Sequence, residues 1–212
     1  MEKSVQKYKL FYAPATCATA VHVILNAVNA DFELVRLEND DNRKPEYLAL
    51  SPLGQVPVLL EDGVVLRESG AIMIYLLDKY KHALLPQDVE QRRKVMQWLL
   101  FFNSTMHQTF GAYFLISKNL KDKAAAEVAT TLITKRIQKL WNFVEMEIAS
   151  DFICGNQVSV ADILMAVIAN WCQVISPVVT PGTKTLDICR KVKELPYFEK
   201  ALRVERVKYS IN

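Results

Sequence analysis

The chain has 212 residues, 51% of them hydrophobic and 23% charged, a balance that suits one large domain or two small ones with a real core. A formal charge of +3 is too slight to argue for nucleic acid, and no apolar run reaches the length of a membrane span. The N-terminal stretch Met1-Glu-Lys-Ser-Val-Gln-Lys7 lacks the apolar core of a secretory signal, so a cytoplasmic protein is expected.

Residues 9–12 read as a strand, 16–28 as an amphipathic helix and 32–37 as a second strand, by their period of 2 or 3.6. A polar stretch, 39–44, precedes a helical turn at 46–50. Two short apolar runs within 58–66 flank Glu61-Asp62-Gly63, a hairpin signal, and a helix is expected over 68–80. The order β-α-β, short helix, β-β-α predicts a mixed four-stranded sheet, because a βαβ crossover makes parallel neighbours and a hairpin antiparallel ones. Lys81-His-Ala-Leu-Leu-Pro86-Gln87 reads as a linker. Beyond it nearly everything has helical spacing: long helices over 88–119 and 122–149, a third over 159–175, and shorter ones from Thr185 and Pro196. The expected organisation is therefore α/β followed by all-α: residues 1–80, a linker at 81–87, and a helical domain at 88–212.

Ser51-Pro-Leu-Gly-Gln-Val-Pro57, followed by Glu68-Ser69, carries the most chemistry. A strand entered through a proline leaves the backbone of Val56 free to pair with an extended peptide. A helix starting near Glu68 aims unpaired N–H groups at a carboxylate. A short zwitterionic peptide suits these parts, and glutathione is the candidate. Four cysteines, Cys17, Cys154, Cys172 and Cys189, lie far apart without a CxxC, which argues against a disulfide framework and structural zinc; no metal is expected. Cys17 stands where strand turns into helix, a place where the helix start favours the thiolate and lowers a thiol's pKa. Ser159 and Asp162 have the spacing of a capping box, a folding element.

Over essentially its whole length the chain resembles the cytosolic glutathione transferase family, whose first domain is thioredoxin-like and whose second is helical. Ser51–Pro57 is similar to the family's N/S-P-x-G-x-V-P signature, Glu68-Ser69 to its E-S pair, and Ser159-Val-Ala-Asp162 to its S/T-x-x-D element. Pro14-Ala-Thr-Cys17-Ala-Thr-Ala-Val-His22 and Trp98-Leu-Leu-Phe-Phe-Asn-Ser-Thr-Met-His107 most resemble segments of the bacterial beta class. Ala18, Val21 and Leu100 depart from that class, which has Ser, Pro and Asn there.

The resemblance implies transfer of glutathione's sulfur to an apolar electrophile, thiol–disulfide exchange through Cys17, or both, in a cytoplasmic homodimer. It implies a cis Val56–Pro57 bond, with Val56 pairing glutathione's cysteinyl unit and Gln55 near one end of the tripeptide. Ser69 would hold the γ-glutamyl carboxylate and Glu68 its ammonium. Arg43 and Lys44 are candidates for the glycyl end. Thr16 is an alternative activating hydroxyl, and His107 a further group directed at the glutathione cysteine. The alternative is a non-catalytic carrier or regulatory protein on the same fold.

Overall fold

The structure, a computed structural model, describes residues 8–211. The chain forms two compact units: one runs up to Gln87 and takes in Leu195–Lys208, and the other comprises Asp88–Glu194 with the residues from Tyr209 onward. The expected division differs at two points: residues 81–87, expected as a linker, fall in the α/β unit with Leu84 and Leu85 buried, and residues 195–208 fall there too. The segment around Pro196 belongs with the α/β unit, because the helix it starts buries Phe198, Ala201 and Leu202, and that helix packs on the first helix of the chain.

In the first unit the order is β1 (Tyr8–Tyr12), α1 (Ala18–Ala27), β2 (Phe32–Arg36), a 3₁₀ turn (Asp41–Arg43), α2 (Pro45–Leu50), β3 (Val58–Glu61), β4 (Val64–Arg67) and α3 (Ser69–Lys79). The sheet order is β2-β1-β3-β4, with β1 parallel to β2 and antiparallel to β3. Alternation along β1 gives each face its role. Tyr8, Leu10 and Tyr12 are buried, while Phe11, pointing the other way, meets the Tyr47 ring of α2 at 5.6 Å. The β3–β4 hairpin turns through Asp62 and Gly63, both at positive φ (49° and 84°), the backbone that a two-residue turn between twisted strands needs. The helix closing this unit is α9 (Pro196–Glu205).

The second unit contains α4 (Val89–Leu100), α5 (His107–Asn119), α6 (Lys123–Glu147), α7 (Val160–Ala169) and α8 (Thr183–Lys193). The single helix expected over 88–119 is interrupted by a π-helical turn, Phe101–Met106. The wider turn shifts the faces of α5 relative to α4, and it lies in an aromatic cluster where Trp98 meets Phe101, Phe102 and Phe143 at 5.3–5.8 Å. The helix expected over 159–175 stays α-helical only to Ala169 and tightens to 3₁₀ over Asn170–Val174. Every residue of α7 is buried. Its start is the Ser159–Asp162 capping box. The Asp162 carboxyl accepts from the Ser159 N–H (2.8 Å), the Ser159 hydroxyl (2.7 Å) and the Ile153 N–H (2.9 Å). No helix among the described residues is long and apolar enough to cross a membrane.

Candidate active site

Three places in the first unit carry the site: the turn into α1, the loop into β3 and the start of α3. The loop is held by its own side chains. The Ser51 hydroxyl accepts from the Gln55 N–H (3.0 Å) and donates to the Gln55 carbonyl (2.9 Å), where the Tyr47 hydroxyl also donates (2.7 Å). Asn42 Nδ2 donates to the Gly54 carbonyl at 3.0 Å. Gly54 is required here: its φ is +63°, and an added Cβ would lie 2.7 Å from the Asn42 carbonyl oxygen. The Val56–Pro57 bond is cis, and Pro57 is buried at the entrance to β3. Gln55 has its backbone engaged and its side chain exposed.

Cys17 is 5% exposed, and its Sγ–H donates to the Val56 carbonyl at 3.8 Å. Burial pushes the thiol up to about 11, against a lowering by a hydrogen bond with the Ser69 side chain and by the backbone N–H groups of Cys17 and Ala18; the charge of Glu68 raises it further. The expected depression of the Cys17 pKa is thus corrected. The helix-start N–H groups act in the expected direction, but removing a thiolate from water costs more than they supply. These contacts bring Cys17, Val56, Glu68 and Ser69 to one spot.

Glu68 is the residue before α3, with φ +69° and ψ 115°. A non-glycine residue there is strained, and such strain persists only where the surroundings impose it. Ser69 is buried (3% exposed) and Glu68 is exposed. Thr16 spends its hydroxyl on the turn: it donates to the Ala13 carbonyl (2.7 Å) and accepts from the Ala18 N–H (3.2 Å). As a donor to a ligand thiol it is already engaged. Helix α1 accordingly begins at Ala18, two residues after the expected start.

The basic candidates are exposed and paired with neighbours: Lys44 with Asp41 at 2.7 Å and Arg43 with Asp40 at 3.5 Å. His107 belongs to the second unit, where it opens α5 and its ring lies 5.2 Å from that of Trp171. Cys172 and Cys189 are buried and Cys154 is half-buried; burial pushes all three thiols up to about 12.

Sequence reasoning missed the residues that hold the loop, Asn42, Tyr47 and Ser51. Ser51 lay within the motif, yet its local hydrogen-bonding capacity was the available signal for a turn. It also missed Glu205, whose carboxyl lies buried against α1. Nothing in the local pattern of α9 marks that residue.

Two family models match the chain. The model of the glutathione S-transferase N-terminal domain matches residues 6–78, and that of the C-terminal domain matches 103–198. The chain belongs to the glutathione S-transferase family. Among curated transferases, glutathione S-transferase GstA of Escherichia coli O157:H7 is 30% identical over 210 residues, covering 94% of this chain and all of the relative. Among solved structures, a glutathione S-transferase from Xylella fastidiosa superposes with a TM-score of 0.88 at 24% identity, over 95% of this chain and all of that one. A bacterial beta class glutathione S-transferase of Sphingomonas chungbukensis gives a TM-score of 0.79 at 26% identity, over 93% and 98% of the two chains.

Proposed function

We propose that this glutathione S-transferase binds glutathione across Cys17, Val56, Pro57, Glu68 and Ser69, and transfers its sulfur to an apolar electrophile. The observation that carries this reading is the convergence of the Cys17 thiol, the Val56 carbonyl and Ser69 on one cis-prolyl turn. Val56 offers its carbonyl to the N–H of the cysteinyl unit, as an added strand would. Ser69, at the start of α3, takes the γ-glutamyl carboxylate at a helix N-terminus, and Glu68 pairs the adjacent ammonium.

With its pKa pushed up to about 11, Cys17 is a protonated thiol at neutral pH. Its one S–H donates to the Val56 carbonyl in the free protein; when the cysteinyl N–H of glutathione takes that carbonyl, the S–H turns to the ligand's sulfur. It stabilises a glutathione thiolate that attacks the electrophilic carbon and displaces the leaving group. In exchange, Cys17 must first lose its proton to solvent. Its thiolate then attacks the glutathione sulfur of a glutathione mixed disulfide, forming a Cys17–glutathione disulfide and expelling the other thiolate; a second glutathione, as thiolate, attacks the bound glutathione sulfur, leaving as glutathione disulfide and releasing the Cys17 thiolate. The protein is read as a cytoplasmic homodimer, in keeping with the resemblance.

The test is thermal unfolding with millimolar glutathione, followed by assays on wild type and Cys17→Ala. Ligand at about 100 times its dissociation constant stabilises by about 2.7 kcal/mol, a rise in Tm of roughly 5–10 °C at this size. Cys17→Ala is expected to abolish exchange with a small disulfide. A folded protein whose Tm ignores glutathione overturns the assignment, and undiminished exchange in Cys17→Ala overturns the role of the thiol.

A further inference from the structure

Helix α9 returns to the first unit carrying an acid into its interior. Glu205, the last residue of α9, is 2% exposed. One carboxyl oxygen accepts from the Thr19 hydroxyl at 2.7 Å, and the other lies 2.8 Å from His22 Nδ1. Thr19 and His22 are each 1% exposed. They stand three residues apart and so share one face of α1, on its first two turns. The His22 ring in turn lies 5.6 Å from Phe32 of β2, edge-on, and 6.3 Å from Tyr12 at the end of β1. A second link, from Asn26 Nδ2 to the Tyr197 carbonyl at 3.3 Å, joins the same two helices one turn further along.

A buried acid is costly unless both oxygens are satisfied, and well-packed apolar residues commonly serve stability as well or better. What these contacts add is location. The turn that carries Thr16 and Cys17 runs from Tyr12 to Ala18. Tyr12 abuts the His22 ring on one side of that turn, and Thr19 is gripped by Glu205 on the other. A shift of the first turn of α1 would therefore carry the Cys17 sulfur off the Val56 carbonyl.

We propose that Glu205 is a positioning residue for the active-site thiol: through Thr19 and His22 it fixes the first two turns of α1, and with them the depth and aim of Cys17. The inference rests on Cys17 being the thiol of the site, as read above. It makes a residue from the far end of the chain part of the machinery without contact with glutathione.

The test is alkylation of the native, ligand-free protein by iodoacetamide, with each cysteine followed separately by mass spectrometry. Losing one or two buried hydrogen bonds shifts a local opening equilibrium by about tenfold or more. Glu205→Ala should therefore speed alkylation of Cys17 by about that factor and move its pH midpoint down toward the ordinary thiol value, while Cys172 and Cys189 stay as slow as in wild type. Glu205→Gln, which keeps a hydrogen-bonding group at both oxygen positions, should restore the wild-type rate and midpoint. Should Glu205→Ala fail to fold, Thr19→Val removes one donor at nearly constant shape and should move Cys17 in the same direction. A folded Glu205→Ala or Thr19→Val with unchanged Cys17 reactivity overturns the proposal. So does a uniform rise at Cys17, Cys172 and Cys189, which would mean general loosening. Because the readout needs no glutathione, a failure of the transferase reading would show separately, as a wild-type protein that does not bind it.

Discussion

The protonation of Cys17 is the sharpest physical claim made by the site. Raising the pH of the native protein while following Cys17 alkylation tests it directly. A thiol at the ordinary 9.0 is about one-tenth ionised at pH 8, whereas one pushed up to about 11 is ionised to about one part in a thousand. The rate should therefore climb about tenfold per pH unit from 8 to 10 and level off only near 11. Neighbours tune the midpoint with known signs. Ser69→Ala removes a hydrogen bond that lowers it and should raise the midpoint; Glu68→Gln removes a charge that raises it and should lower the midpoint. Stability follows by linkage. Between 9 and 11 the unfolded chain has lost this proton and the folded one holds it, so the contribution is complete below about 9 and disappears as pH rises toward about 11. Cys172 and Cys189, pushed to about 12, act in the same sense, so the Cys17 share is the difference between wild type and Cys17→Ala in urea titrations across that window. A Cys17 midpoint at or below 9 would refute the argument that burial overrides the helix start.

Three further outcomes follow from the described contacts. Asp162→Ala strands the Ile153 and Ser159 N–H groups and the Ser159 hydroxyl; a loss of about 3–5 kcal/mol in urea unfolding is expected, and a loss under about 1 would count against the buried cap. Burial alone would raise the Glu61 carboxyl, but hydrogen bonds from Lys79 and Tyr75 lead the effects that overcome it and hold it at about 2. Its contribution should be full above about 4.5 and fade as pH falls toward 2; the acid limb of the urea midpoint should flatten in Glu61→Gln. Glu68→Gly should relieve the strain at φ +69° and stabilise the free protein by about 1 kcal/mol while weakening glutathione binding, read by paired Tm measurements with and without ligand.

What could be read in the sequence was what local chemistry decides. Asp62-Gly63 announced a hairpin because both positions need positive φ, and Ser159 and Asp162 announced a helix start because their spacing satisfies the first N–H groups. Pro57 and Ser69 were read as parts of one motif, and the structure has the cis bond at Val56–Pro57 and Ser69 as the first residue of α3. The acidity of Cys17 was misjudged because it depends on how deeply the turn is packed, and no neighbour in sequence reports that. The π-helical turn at Phe101–Met106 was invisible for a similar reason: its residues fit an ordinary helix, and packing of Trp98, Phe101 and Phe143 accompanies the wider turn. Glu205 reads as a surface acid until α9 is seen against α1, 183 residues from its partner His22.

The return of α9 also gives the protein an order of assembly in time. Strands β1 to β4 and helices α1 to α3 are complete once Lys79 has been made, but the helix that covers α1 is made only when translation reaches Pro196–Glu205. At ~5–20 residues per second, the stretch from Gln87 to Glu205 occupies a ribosome for roughly 6–24 s. Throughout that interval the face of α1 on which α9 later packs lacks its cover. Thr19 and His22 wait in water for an acid not yet synthesised. That interval is long enough for a chaperone or a protease to meet that face.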